Sequence, residues 1–113
     1  MQTTHEHYGA MHALLAQMRE RGGSDLFITA GFPPAIKLDG KLTPLSATPL
    51  DAALAAGYVR ALMNDKQVQS FEASNEANFA ISPEGLGRFR VSAFVQLGQA
   101  GMVLRTINTA IPE

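Results

Sequence analysis

The run Gly87-Arg88-Phe89-Arg90-Val91-Ser92-Ala93-Phe94-Val95, answered by Gly101-Met102-Val103-Leu104-Arg105-Thr106-Ile107, constrains this chain more than any other stretch. Both halves alternate as a β-strand requires, because successive side chains on a strand point to opposite faces. Phe89, Val91, Ala93 and Val95 share one face, and Arg88, Arg90, Ser92 and Phe94 the other. In the second half Met102, Leu104 and Thr106 fall together, opposite Val103, Arg105 and Ile107. The segment 98–101 reads as the turn between them. Two long strands therefore carry arginines on rigid backbone.

The chain has 113 residues, which is enough for one domain that buries roughly two-thirds of the surface its unfolded form exposes. Its formal net charge is −1, so no global field draws it to nucleic acid or an acidic membrane. Cysteine is absent, which removes disulfides, thiolate metal sites and cysteine nucleophiles together and fits a cytosolic protein. Residues 1–7 are polar and do not resemble a signal peptide. No apolar run approaches the ~20 residues needed to span a bilayer.

Met11, Leu14, Leu15 and Met18 recur at helical spacing. They predict an amphipathic helix over 8–21, stopped by Gly22-Gly23, with 1–7 a disordered tail. Residues 26–29 form a short buried strand. Residues 35–45 form a hairpin about Asp39-Gly40, a pair suited to positive φ at both turn centres. Thr48 is placed to cap a second helix, with Pro49 at its first position and Asp51 in its first turn. That helix runs to about Met63 and turns Leu50, Leu54, Tyr58, Ala61 and Leu62 inward. Gly57 within it costs about 1 kcal/mol against alanine. Asn64 caps a third helix over 65–73, with Val68 and Phe71 inward. A strand over 77–81 and a loop over 82–87 lead into the two long strands. The order predicts the α+β class, an antiparallel sheet of about six strands with helices on one face.

Little in the chain announces chemistry. There is no G-x-x-x-x-G-K-[ST] phosphate loop, and Gly85-Leu86-Gly87 has Arg90 where a dinucleotide fingerprint needs its third glycine. His5, His7 and His12 lack a fourth metal ligand and read as solvated. Asp25, Asp39, Glu72, Glu76 and Glu84 are candidate acid–base partners only if the fold brings two of them together. Asp25 suits a different task, satisfying backbone N–H groups at a strand entrance. Phe27, Phe71, Phe79, Phe89 and Phe94 read as core. The arginines leave two readings open. Arg88, Arg90 and Arg105 either form a solvated face paired with carboxylates or serve as an anion clamp, since a guanidinium fork matches phosphate oxygens. Arg105 lies in an apolar strand and needs a partner there.

Several motifs in order resemble a known family. They are residues 22–34 (Gly22-Gly23-Ser24-Asp25-Leu26-Phe27-Ile28-Thr29-Ala30-Gly31-Phe32-Pro33-Pro34), Asp39-Gly40-Lys41, Met63-Asn64-Asp65-Lys66-Gln67, Gly87-Arg88-Phe89-Arg90-Val91-Ser92-Ala93-Phe94 and Leu104-Arg105-Thr106-Ile107. From about Tyr8 to Ile107 the chain resembles the N-terminal domain of the type IV pilus retraction ATPases, the PilT/PilU family. Phe27-Ile28 and Asn78-Phe79-Ala80-Ile81-Ser82 lean to the PilU branch.

The resemblance implies a PAS-like domain over 8–108 and, over 109–113, the start of a linker to a catalytic ATPase domain not in this stretch. It implies a regulatory and oligomerisation role in a cytoplasmic, hexameric P-loop ATPase that powers pilus retraction and twitching motility at the inner-membrane face. The parent would be an ATP hydrolase using ATP and Mg²⁺, while this stretch holds no catalytic residue, cofactor or metal. By motif position Arg90 and Arg105 would reach the nucleotide phosphates, with Arg88 second to them. Partners would be the catalytic domains of its own and the neighbouring subunit, a PilT-like paralogue and the inner-membrane platform protein, and not nucleic acid. The alternatives are a standalone PAS-like small-molecule sensor, which needs a cavity in the core, and an interaction module that dimerises through a sheet edge.

Overall fold

A computed structural model describes residues 4–107. The elements run α1 (Thr4–Arg21), β1 (Asp25–Thr29), β2 (Ala35–Leu38), β3 (Lys41–Pro44), α2 (Ala52–Ala61), α3 (Asp65–Ser74), β4 (Glu76–Ile81), β5 (Arg88–Gln96) and β6 (Gln99–Ile107). The six strands form one sheet in the order β3-β2-β1-β6-β5-β4, antiparallel at every pairing. This is the α+β architecture expected from the hairpin pattern. Of the proposed tail and linker, 1–3 and 109–113 lie outside the described residues.

The alternation in β5 and β6 decides which face meets the helices. Phe89, Val91, Ala93, Met102 and Leu104 are buried, as are Leu26, Ile28 and Ile36 from the neighbouring strands. Met11, Leu15 and Met18 of α1, Ala55, Tyr58 and Val59 of α2, and Phe71 of α3 close the core from the other side. Each fully buried aliphatic side chain contributes about 1.5–3 kcal/mol relative to exposure. Phe71 and Phe89 fill the core as expected. Phe27 and Phe94 instead alternate onto the opposite, open face and are only half-buried, and Phe79 and Val68 are also half-buried.

Three boundaries differ from the sequence-based expectation, the first two because of a tertiary contact and the third because of a local turn. Helix α1 begins at Thr4 rather than Tyr8. Its first turn is held by His7, whose ring meets Tyr58 edge-on at 5.6 Å between centroids. The same ring occupies the space above Gly57, where a Cβ would lie 2.6 Å from His7 Nδ1. His7 is thus a packing residue rather than a solvated one, and Gly57 is where it fits. His12 is also engaged, its Nε2 lying 3.0 Å from the Glu84 carbonyl oxygen.

Helix α2 starts at Ala52, capped by Asp51, whose carboxylate accepts from the Leu54 N–H at 2.7 Å. Thr48 and Pro49 are not its cap and first turn, because Leu50 is drawn into extended backbone. Its N–H donates to the Phe32 carbonyl at 2.9 Å, and its carbonyl accepts from the Gly31 N–H at 2.7 Å. Asn64 caps α3 as predicted, in a reciprocal box with Gln67.

The third shift is the turn between β5 and β6. It is the two-residue pair Leu97-Gly98, with φ of 54° and 77°, closed by Gln96 opposite Gln99. Ala100 and Gly101 therefore belong to β6. The Asp39-Gly40 turn has the predicted positive φ values, 51° and 78°.

Gly101 makes the closest approach in the sheet. A Cβ there would sit 2.9 Å from the Ile28 carbonyl oxygen and 2.9 Å from Phe94 Cε1. Backbone cannot give way as a side-chain tip can, so Gly101→Ala is expected to destabilise the domain by about 1–3 kcal/mol, read from chemical denaturation. A second expectation concerns Tyr58, whose burial raises its phenol above the usual 10.0. A folded-state pKa above the unfolded one contributes stability that is fully present below pH 10.0 and lost as pH rises through the folded value. Denaturation midpoints compared between wild type and Tyr58→Phe should diverge only on that alkaline side.

Candidate functional site

The open face of the sheet carries the groups the core cannot use. The strand register places Lys37 beside Asp25, Asp25 beside Arg105, Arg105 beside Arg90 and Arg90 beside Ala80. One line across five strands therefore holds three cations and a single carboxylate. Arg88 lies two residues from Arg90 at the start of β5, opposite Ile107.

Asp25 and Arg105 form an ion pair, Arg105 Nε to Asp25 Oδ2 at 3.2 Å. The Asp25 side chain is only 8% exposed, whereas that of Arg105 is 73% exposed. Ser24 donates its hydroxyl to Asp25 Oδ1 at 2.7 Å. Both carboxylate oxygens thus have side-chain partners, and the carboxylate is not used on backbone N–H groups as its position suggested. The need for a partner at Arg105 is met, and its terminal amino groups still face solvent. Arg88 and Arg90 are exposed and make no ion pair with any described residue.

Arg90 and Arg105 stand directly opposite each other, an arrangement that costs stability when the charges are alike. The bond to Asp25 draws one guanidinium towards β1, away from Arg90. Arg88, Arg90, Asn78, Ala80 and Ile107 border a shallow cleft of about 490 Å³ beside the arginines. At the other end of the same face the lining is apolar. Phe27, Phe32, Pro33, Ala35, Leu42 and Pro44 border a groove of about 420 Å³, with Phe32 and Leu42 about two-thirds exposed (64% and 65%). This groove has no signal in the sequence beyond the paired prolines.

The other candidates do not converge. Asp39 sits in its turn, and Glu72 pairs with Arg60 at 3.3 Å. Among the described residues, no three of His, Asp and Glu come together as metal ligands. No described helix is long and apolar enough to cross a membrane.

No protein-family model matches the chain. Individual relatives do. It is 52% identical over 99 residues to the type IV pilus ATPase PilU of Pseudomonas aeruginosa, covering 88% of this chain. It is 40% identical over 98 residues to the type IV pilus retraction ATPase PilT of the same organism, covering 87%. The domain is one of the PilT/PilU family.

The two identities fall in the order that the PilU-like motifs suggested. The fold agrees: the crystal structure of the pilus retraction motor PilT with bound ADP superposes with a TM-score of 0.82 at 31% identity, over 88% of this chain. The ATPase DotB of Legionella pneumophila shares the fold at a TM-score of 0.77 and 19% identity, over 93% of this chain. The chain spans 26% and 28% of the length of PilU and PilT, 29% of the PilT structure and 30% of the DotB structure.

The electrostatics of this PilT/PilU-type face can be measured directly. Arg90→Thr removes one of two opposed charges from an exposed strand position and keeps β-propensity. It should raise stability by about 0.5 kcal/mol in low salt, and the gain should shrink as salt is added. Asp25→Asn removes the one countercharge in the row and should lower stability in the same titration.

Proposed function

We propose that this domain is the regulatory and oligomerisation part of a hexameric P-loop ATPase that powers type IV pilus retraction, and that Arg90 and Arg105 face the nucleotide phosphates. The observation that carries this reading is the opposed pair Arg90 and Arg105 on an exposed face, held on the interior strands β5 and β6. A fold gains nothing from placing two guanidiniums opposite each other. A polyanion docked over them turns that local repulsion into binding energy.

The described residues fit the anion and not the metal. Arg90 keeps its five donors, Arg105 keeps its terminal amino groups, and Arg88 adds a third cation at the cleft rim. No carboxylate set among them suits Mg²⁺. A bound nucleotide would supply the phosphate charge; this chain would neutralise and orient it from a rigid sheet. Asp25 has a positioning role, fixing the Arg105 side chain through Nε while leaving its outer edge available. Coupling nucleotide state to movement then needs only that the sheet follow the phosphates as a rigid body.

In this reading the partners are the catalytic domains of the same and the neighbouring subunit, at the cytoplasmic side of the pilus machine. A PilT-like paralogue and the platform protein complete the assembly. The sensor alternative is not favoured, because the space between sheet and helices is filled by Met11, Leu15, Met18, Phe71, Phe89 and Met102, all 0–1% exposed.

In the full-length parent, Arg90→Ala and Arg105→Ala should each lower ATP turnover about 100-fold or more, with circular dichroism unchanged. Wild-type turnover in both variants would sink the phosphate role. The 113-residue chain alone should show no ATP hydrolysis in a phosphate-release assay; turnover there would overturn the division of labour.

A further inference from the structure

We infer that Arg19 of α1 is a positioning residue for Arg88: from the helix side of the sheet it fixes the loop that leads into β5, and so holds the third cation of the arginine cleft towards a nucleotide phosphate. The inference rests on the phosphate reading above and extends it to a residue outside the cleft.

Arg88 is the cleft arginine that the ladder holds least. Arg90 is paired on both sides, with Ala80 of β4 and with Arg105 of β6. Arg88 is paired on one side, with Ile107, because the β4 register ends at Ile81 opposite Phe89. Before it in the chain comes the loop 82–87, in which Gly85 and Gly87 have positive φ, 78° and 87°. Glycines leave such a loop wide backbone freedom. The start of β5 therefore needs an anchor from outside the ladder.

Helix α1 supplies that anchor. His12 and Arg19 lie about two helical turns apart, beside the buried stripe of Met11, Leu15 and Met18. An Nη1–H of Arg19 donates to the Leu86 carbonyl at 2.9 Å, and the His12 Nε2–H donates to the Glu84 carbonyl at 3.0 Å. The Leu86 side chain is buried, and its N–H donates to the Pro83 carbonyl at 3.1 Å, which closes the turn. Gly87 makes room for the guanidinium, since a Cβ there would lie 3.2 Å from Arg19 Nη1. The Arg19 bond is the partly buried one of the two, where water competes least. It holds the backbone just ahead of Arg88 and leaves the Arg88 side chain exposed on the open face.

Steady-state ATP kinetics of the full-length parent test this. Arg88→Ala should raise KM for ATP about tenfold, through loss of one charge-assisted contact. Arg19→Ala should raise it about threefold, and Arg19→Ala combined with Arg88→Ala should match Arg88→Ala alone to within about twofold. A general loss of folded protein would instead lower apparent kcat and leave KM at its wild-type value. Wild-type KM for Arg19→Ala beside a raised KM for Arg88→Ala overturns the inference and leaves the phosphate reading standing. The same fold increase from Arg19→Ala in both backgrounds also overturns it, because Arg19 then acts without Arg88. An unchanged KM for Arg88→Ala removes the phosphate contact at Arg88, and the inference with it, whatever Arg90→Ala and Arg105→Ala show. Should circular dichroism show Arg19→Ala unfolded, His12→Ala carries the same cycle with the same expected directions.

Discussion

The antiparallel pairing of β1 with β6 makes this a single domain. Residues 25–45 build one three-stranded unit and residues 76–107 another, each from local hairpin contacts. Within the sheet, the ladder from Asp25–Arg105 to Thr29–Gly101 fuses them. It lies at the centre of the sheet, so Leu26, Ile28, Met102 and Leu104 are all fully buried beneath the helices. The same ladder brings Asp25 to Arg105, 80 residues apart in sequence. Closing so long a loop costs conformational entropy, which the central apolar contacts must exceed before the ion pair can form.

The division of the open face follows from that pairing. On one side of the ladder β5 brings Arg88 and Arg90; on the other β1 to β3 bring Phe27, Ala35, Leu42 and Pro44. The Asp25–Arg105 pair stands on the boundary. A cationic area and an apolar area on one rigid face suit a surface that contacts other protein and an anion at once. The buried carboxylate has a further consequence. Asp25 gives Arg105 a fixed orientation, whereas Arg90 and Arg88 are oriented by the strand backbone alone. The three arginines are therefore not equivalent, although all three sit on the same two strands.

Much of this was legible in the sequence because it depends on neighbours along the chain. Period-two alternation assigned the faces of β5 and β6, and period-four spacing found the buried stripe of α1. Asp39-Gly40 and Asn64 named their turn and cap because those backbone geometries favour those residue types. The resemblance to the PilT/PilU family rested on such local motifs and singled out Arg90 and Arg105 among the arginines of the last two strands. Local rules failed where a distant group intervened. Thr48-Pro49 was a sound helix start until Leu50 bonded to the loop at Gly31 and Phe32. His7 belonged to a frayed tail until Tyr58 and Gly57 offered it a surface.

Sequence by itself determined the elements, the sheet's two faces and the presence of unburied arginines, since alternation and capping act within a few residues. Tertiary structure alone decided which charges meet. Arg90 opposite Arg105, Asp25 beside Arg105 and Lys37 beside Asp25 are facts of strand order and register. Register between strands far apart in sequence is chosen by the whole core, and a shift of one residue would turn every one of these side chains to the other face.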